Sequence, residues 1–129
     1  MDVLLDTHAW VWSLMDDPRL SKAARKALLE SDSVRVSPIS FFEIGQKVRI
    51  GKWPEMEPHL AGLPERLKEQ GGQTAPFSNE IALRAATLDW AHRDPFDRIL
   101  AATALESGAT LLSADEMFDT LEQPIKRIW

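Results

Sequence analysis

Short apolar runs and amphipathic segments follow one another along the whole chain. Val3–Leu5 is an unbroken apolar run, which is typical of a strand buried on both faces of a sheet. Comparable runs predict four further strands, at residues 34–36, 73–77, 109–112 and 125–129. Helical spacing and helix start signals predict the intervening helices, at residues 7–15, 21–29, 41–50, 65–70, 78–88, 94–107 and 117–121. This alternation indicates one α/β domain over residues 1–129, with a mainly parallel central sheet.

Acidic residues fall where such a fold brings strand ends and helix starts together. Asp6 and Asp115 each follow an apolar strand. Glu43 and Asp97 each lie three residues after a predicted helix cap. Because right-handed crossovers send strand ends and the next helix starts to the same edge of the sheet, we expect the four carboxyl groups to converge there.

Each of these acids also has a purely structural interpretation. Asp6 and Asp115 suit cap positions at the start of a helix or turn. Glu43 matches a capping box with Ser40, and the helix dipole favours Asp97 near a helix start. Four carboxylates at one edge, however, repel one another unless a cation compensates them. Such a cluster is the oxygen-only site that Mg²⁺ or Mn²⁺ prefers.

An all-carboxylate magnesium site without a nucleophile of its own suits the hydrolysis of phosphodiesters. Bound metals hold the phosphate, lower the pKa of a water molecule and stabilise the leaving oxygen. The sequence has no zinc-ligand spacing, no G-x-S-x-G elbow and no glycine loop for phosphates. A zinc enzyme, a serine hydrolase and a nucleotide cofactor are therefore disfavoured.

The composition bears on compartment and partners. The 129 residues include no cysteine, which excludes disulfides and thiolate metal sites and fits a reducing compartment. No secretory leader and no apolar run of about 20 residues is present, so we expect a cytoplasmic protein with no membrane partner. The net charge of −5 argues against a nucleic-acid binder, although less so if several acids surround bound cations.

Four segments of the chain carry motifs in a characteristic order. They are Val3–His8, Ser37–Ile44, Asp94–Ala104 and Leu111–Asp115. Together they resemble the PIN-domain ribonucleases, and most closely the VapC-like toxins of bacterial type II toxin–antitoxin pairs. The resemblance spans nearly the whole chain. It implies a three-layer α/β/α sandwich and a Mg²⁺- or Mn²⁺-dependent endonuclease that cleaves RNA, forms a homodimer and is inhibited by a cognate antitoxin.

The resemblance also assigns roles by position. Thr7 would orient Asp6 or contact a metal-bound water, and Asp94 would cap its helix and support the site from outside. Ser113 keeps the hydroxyl of a threonine that is frequent in the family. Arg98 is a candidate for a phosphate contact, but an ordinary surface salt bridge is the favoured interpretation of this residue. The metal-binding and catalytic residues would be Asp6, Glu43, Asp97 and Asp115.

Two other functions remain open from the sequence. A magnesium phosphotransfer or receiver domain needs paired acids after the first strand and a lysine at a later strand end. Here Asp6 has no acidic residue directly after it, and Ser113-Ala114-Asp115 contains no lysine. A non-catalytic PIN-like binding module is the second alternative, and the intact set of acids argues against it.

Overall fold

The computed structural model describes every residue, Met1–Trp129. Its centre is a sheet in which every neighbouring pair of strands is parallel. The strands are β1 (Asp2–Leu5), β2 (Ser33–Val36), β3 (Gln73–Thr74), β4 (Thr110–Leu112) and β5 (Arg127–Ile128). Their order across the sheet is β3-β2-β1-β4-β5, so the first strand of the chain lies in the middle of the sheet.

Six α-helices connect the strands. They are α1 (Thr7–Leu14), α2 (Lys22–Glu30), α3 (Pro38–Arg49), α4 (Leu63–Glu69), α5 (Asn79–Thr87) and α6 (Pro95–Ser107). Two 3-10 helices complete the structure, at Pro54–Gly62 and Glu116–Thr120. None of these helices has the length and apolar character needed to cross a membrane.

The two faces of β1 belong to two different cores, because successive side chains of a strand point to opposite faces. Val3 and Leu5 pack in one core, together with residues of α1, α2, α3 and α4. Leu4 packs in the other core, mainly with residues of α6 and β4. All three side chains are at most 1% exposed. Helical layers therefore cover both faces of the sheet, which confirms the predicted α/β/α sandwich.

The start of α6 is as predicted. Asp94 is the N-cap, and its Oδ1 accepts hydrogen bonds from the backbone N–H groups of Phe96 at 2.8 Å and Asp97 at 3.2 Å. Pro95 occupies the first helical position, where its missing N–H costs nothing. The helix ends at Gly108, whose φ of +67° is the left-handed conformation that favours glycine.

The predicted start of α3 is wrong by three residues. Ser37 is the N-cap, its Oγ accepting from the Ile39 N–H at 3.1 Å, and Pro38 takes the first helical position. Ser40 is fully buried inside the first turn and caps nothing. The capping box between Ser40 and Glu43 is therefore absent, and other contacts must position the Glu43 side chain.

Two strands are shorter than predicted. β3 stops at Thr74 because Pro76 has no N–H to continue the ladder, although the Ala75 N–H still donates to the Val36 carbonyl at 2.8 Å. β5 covers only Arg127–Ile128 of the predicted residues 125–129. Both are edge strands, where pairing on one side alone supports fewer residues.

Candidate metal centre

A pocket of about 320 Å³ opens at the carboxyl edge of the sheet, beyond the ends of β1 and β4. Five carboxyl groups line it, those of Asp6, Glu43, Asp94, Asp97 and Asp115. The structure thus brings the four acids singled out in the sequence to one place, with Asp94 beside them. Their binding of a metal stays a prediction at this point.

Asp6 leaves β1 and caps α1. Its Oδ1 accepts from the Ala9 N–H at 2.8 Å, and its own N–H donates to the Leu112 carbonyl of β4 at 3.1 Å. Burial raises the pKa of the Asp6 carboxyl, while the Ser113 hydroxyl and the Ala9 N–H oppose the rise. The cap engages only one of the two carboxylate oxygens, so capping and metal binding by Asp6 are compatible.

Glu43 is held in the pocket by a threonine and a lysine. The Thr7 hydroxyl donates to Glu43 Oε1 at 2.5 Å and also lies 2.9 Å from Ser40 Oγ. Lys47, one turn further along α3, places its Nζ 2.9 Å from Glu43 Oε2. Thr7 is thus bonded to Glu43 and Ser40. One of its two predicted roles, the orientation of Asp6, would require a hydrogen bond to Asp6, which the Thr7 hydroxyl does not form. The sequence predicts no role for Lys47 in the site, because its i,i+4 spacing from Glu43 is its only signal.

Asp97 is bonded to a histidine from the preceding loop. Its Oδ2 lies 2.7 Å from His92 Nε2. Burial raises the pKa of Asp97 to about 6, and the negative charges of Asp94 and Asp115 add to the rise, whereas the His92 hydrogen bond lowers it. Ligand atoms of His92, Asp94 and Asp97 lie within 4.8 Å of one another. His92 belongs to no metal-binding spacing in the sequence, so the sequence alone predicts no role for it in the site.

Asp115 is the most exposed of the four acids and caps the last 3-10 helix. Its Oδ1 accepts from the Met117 N–H at 2.9 Å. The buried hydroxyl of Ser113 accepts from the Asp115 N–H at 3.0 Å and so fixes the turn after β4. Ser113 therefore acts on Asp115 through the backbone, which gives a physical reason for a hydroxyl at this position.

Arg98 lies outside the pocket and binds the chain itself. Its guanidinium donates four hydrogen bonds of 2.6–2.9 Å to main-chain carbonyls. The acceptors belong to Ala85, Leu88, Trp90 and His92. Arg98 thus fixes the segment between α5 and α6 that carries His92. This structural role replaces both the phosphate contact and the surface salt bridge considered from the sequence.

The charges of the pocket fit a divalent cation. Five carboxyl groups face a single lysine, Lys47, and no arginine lines the pocket. The raised pKa values of Asp6 and Asp97 report the poor stabilisation of their charged forms. Carboxylate oxygens are hard donors, which suit Mg²⁺ or Mn²⁺.

Comparison with known proteins gives the family. The family model of the PIN domain matches residues 3–123 of this chain. The chain is 30% identical over 125 residues to Ribonuclease VapC22 of Mycobacterium tuberculosis. The aligned region covers 95% of this chain and 93% of that protein. This α/β/α domain, with its acidic pocket at the carboxyl edge of the sheet, therefore belongs to the PIN domain family. The resemblance seen in the four motifs is confirmed.

Solved structures of low sequence identity share the fold. VapBC2 from Rickettsia felis, bound to a DNA fragment from its promoter, matches with a TM-score of 0.68 and 15% identity, covering 100% of both chains. FitAcB from Neisseria gonorrhoeae matches with a TM-score of 0.64 and 22% identity, covering 97% of this chain and 95% of the other. These likenesses confirm the predicted PIN-like sandwich.

Proposed function

We propose that this chain is a divalent-metal-dependent endoribonuclease and the toxin of a toxin–antitoxin pair. The observation that carries the proposal is the convergence of five carboxyl groups in one pocket with a single lysine. Membership of the PIN family and similarity to a protein named a ribonuclease support the reaction class.

Asp6, Glu43, Asp97 and Asp115 are the proposed ligands of Mg²⁺ or Mn²⁺. A divalent cation bound there supplies Lewis acidity toward a phosphodiester and toward the attacking water. The carboxylates come from the ends of β1 and β4 and from helices α3 and α6, which are fixed by both cores. A site on such rigid elements keeps its geometry between turnovers.

Residues in and around the pocket orient these acids. Thr7 and Lys47 each engage one oxygen of Glu43, and His92 engages one oxygen of Asp97. Lys47 also supplies the one ammonium group in the pocket, which is suited to a phosphate oxygen. Asp94 positions Asp97 by capping α6, and Ser113 positions Asp115.

The partners proposed are an RNA substrate, a cognate antitoxin and a second copy of the chain. Support for the antitoxin comes from the similar structures, one of which is described as a toxin–antitoxin complex from Klebsiella pneumoniae, with a TM-score of 0.57. The homodimer and the cytoplasmic location rest on the family resemblance and on the absence of cysteine.

Cleavage of a structured RNA mixture tests the proposal. Purified protein is incubated with Mg²⁺, Mn²⁺ or EDTA, beside Asp97→Asn and the control Asp89→Asn, which changes an exposed acid outside the pocket. We expect metal-dependent cutting by the wild type and the control, and none by Asp97→Asn. Equal cutting by Asp97→Asn would refute the assignment of the site.

Calorimetry with Mn²⁺ separates the nuclease from a non-catalytic module. We expect the wild type to bind Mn²⁺ and Asp6→Asn to bind it far more weakly. An intact RNA mixture together with no Mn²⁺ binding would favour the module. The receiver-type alternative is not favoured, because the pocket lysine lies within α3 and not at the end of a strand.

A further inference from the structure

Lys47 is the only lysine or arginine that lines the carboxylate pocket, and it is paired with Glu43. Its Nζ lies 2.9 Å from Glu43 Oε2 and 5.6 Å from the centroid of the Trp53 ring. The side chain of Lys47 is 30% exposed, whereas that of Glu43 is 11% exposed. The ammonium group therefore has two neighbours, a nearly buried carboxylate and an indole ring.

The two oxygens of Glu43 are held by partners of unequal mobility. Oε1 accepts from the hydroxyl of Thr7, a buried residue at the first position of α1. This short side chain cannot withdraw from Glu43 unless α1 moves. Oε2 is bound by an ammonium group at the end of a flexible four-carbon stem, which can turn about several bonds. A cation that binds an oxygen of Glu43 is therefore expected to displace Lys47 and not Thr7.

The charge of Lys47 opposes a divalent cation bound to the same carboxylate. Two positive charges a few ångström apart repel each other, and a partly buried pocket screens this repulsion less than open solvent does. The hydroxyl of Thr7 is neutral and can go on donating to Glu43 Oε1. Of the two partners of Glu43, Lys47 alone becomes unfavourable when a metal binds.

The turn after α3 provides a second position for the Lys47 ammonium group. The main-chain carbonyl of Lys47 accepts from the N–H groups of Lys52 at 2.8 Å and Trp53 at 3.2 Å. Gly51, with a φ of +77°, allows the chain to fold back in this way. The ammonium group already lies within the distance of about 6 Å at which a cation is attracted to an aromatic ring. Lys47 can thus leave Glu43 by a change of rotamer and keep a favourable contact.

We propose that Lys47 is a displaceable counter-ion, which neutralises Glu43 until a divalent cation binds and then moves its ammonium group toward the Trp53 ring and the substrate phosphate. This inference rests on the metal-dependent function proposed above and makes Lys47 a positioning residue with two states. The ion pair holds the nearly buried Glu43 charge in place before the metal binds. The metal in turn competes with a cation that belongs to the chain itself.

A permanent salt bridge between Lys47 and Glu43 is the alternative, and it predicts the opposite sign for the effect of Lys47 on metal binding. If Lys47 stayed on Glu43, it would support a metal ligand, and its loss would weaken metal binding. If Lys47 is displaced, its loss removes a competitor and strengthens metal binding.

Calorimetry with Mn²⁺ measures this sign directly. We expect Lys47→Met to bind Mn²⁺ about 5-fold or more tightly than the wild type, because even in water a unit positive charge about 6 Å from a dication lowers its affinity about tenfold. Lys47→Gln removes the charge but keeps N–H donors, and it should also bind more tightly. Lys47→Arg keeps the charge and should not. The control Lys52→Met removes the same charge from an exposed side chain outside the pocket and should change the affinity by less than about 2-fold.

Thermal unfolding gives an independent readout of the same coupling. In EDTA, Lys47→Met should unfold at a lower temperature than the wild type, because Glu43 Oε2 loses its charged partner. Saturating Mn²⁺ should close most of this gap, since the effect of Lys47 on metal affinity and the effect of metal on the contribution of Lys47 are reciprocal. A permanent salt bridge predicts a gap that is as wide with Mn²⁺ as without it.

The outcomes separate this inference from the function on which it rests. If the wild type binds Mn²⁺ through Asp6 but the folded Lys47→Met or Lys47→Gln variant binds it no more tightly, displacement is overturned and the metal site stands. If neither the wild type nor these variants bind Mn²⁺, both proposals fall. If the variants bind Mn²⁺ more tightly but the wild type cuts no RNA, displacement stands and the nuclease falls.

Discussion

His92 Nε2 lies 2.7 Å from Asp97 Oδ2. An imidazole from the loop before α6 therefore contacts a carboxyl group in the first turn of α6. Arg98 fixes that loop through its hydrogen bonds to the carbonyls of Trp90 and His92. Two adjacent residues of α6 are thereby coupled to the same loop, one facing the carboxylate pocket and the other facing away. The geometry of Asp97 depends on this loop as much as on the helix.

The raised pKa of Asp97 predicts a pH-dependent cost to stability. Its pKa is about 6 in the folded protein against an ordinary 3.8, chiefly because of burial. The folded state therefore holds the extra proton between these values, so the free energy of unfolding falls as the pH rises from about 4 to 6. The cost is absent below pH 3.8 and complete above pH 6.

Asp97→Asn removes this cost. In EDTA at pH 7.5 we expect the variant to be more stable than the wild type by about 1 kcal/mol, after allowance for solvent screening of this half-buried group. Thermal unfolding should show a midpoint a few degrees higher, and at pH 3.5 the difference should vanish. The same change in Asp89→Asn, an exposed acid, should have no effect. A lower midpoint for Asp97→Asn at pH 7.5 would contradict the prediction.

Divalent metal should reverse the order of stability. A ligand that binds only the folded state stabilises it by about 2.7 kcal/mol at a concentration 100 times its dissociation constant. We expect Mn²⁺ to raise the unfolding temperature of the wild type and of Asp89→Asn, and to raise that of Asp6→Asn or Asp97→Asn far less. The measurement is a thermal scan over a Mn²⁺ titration at constant ionic strength. Equal shifts in all four proteins would place the bound metal elsewhere.

The sequence allowed the prediction of the fold and of the four converging acids, because both follow from local patterns. The end of a buried strand is predicted from the apolar run before Asp6, and the start of a helix from Asp94 followed by Pro95. Neither prediction needs tertiary information. His92 could not be predicted in the same way, since its contact with Asp97 depends on a loop path that Arg98 fixes. Local patterns also mislead where two signals overlap, as at α3, where Ser37 followed by a proline supplied the cap and Ser40 did not.

The hydroxyl of Thr7 should matter more than its methyl group. Thr7→Val keeps the shape but leaves Glu43 Oε1, on a side chain that is 11% exposed, without its donor. We expect a loss of about 1–3 kcal/mol in the free energy of unfolding, measured by urea denaturation, together with weaker Mn²⁺ binding. Thr7→Ser, which keeps the hydroxyl, should lose less on both counts. Normal metal binding in Thr7→Val would mean that Lys47 alone positions Glu43.

Arg98 offers a direct choice between a structural and a phosphate-binding role. Arg98→Lys keeps the charge, but one ammonium group has three N–H donors and cannot reproduce four guanidinium contacts to separate carbonyls. We expect Arg98→Lys to lower the free energy of unfolding by about 2–3 kcal/mol. RNA affinity at a temperature where the variant stays folded should keep the wild-type salt slope. A phosphate contact predicts the reverse, with unchanged stability and, in Arg98→Met, a slope smaller by about 0.7. Because the four carbonyls already occupy the guanidinium, the first result is the one that the structure supports.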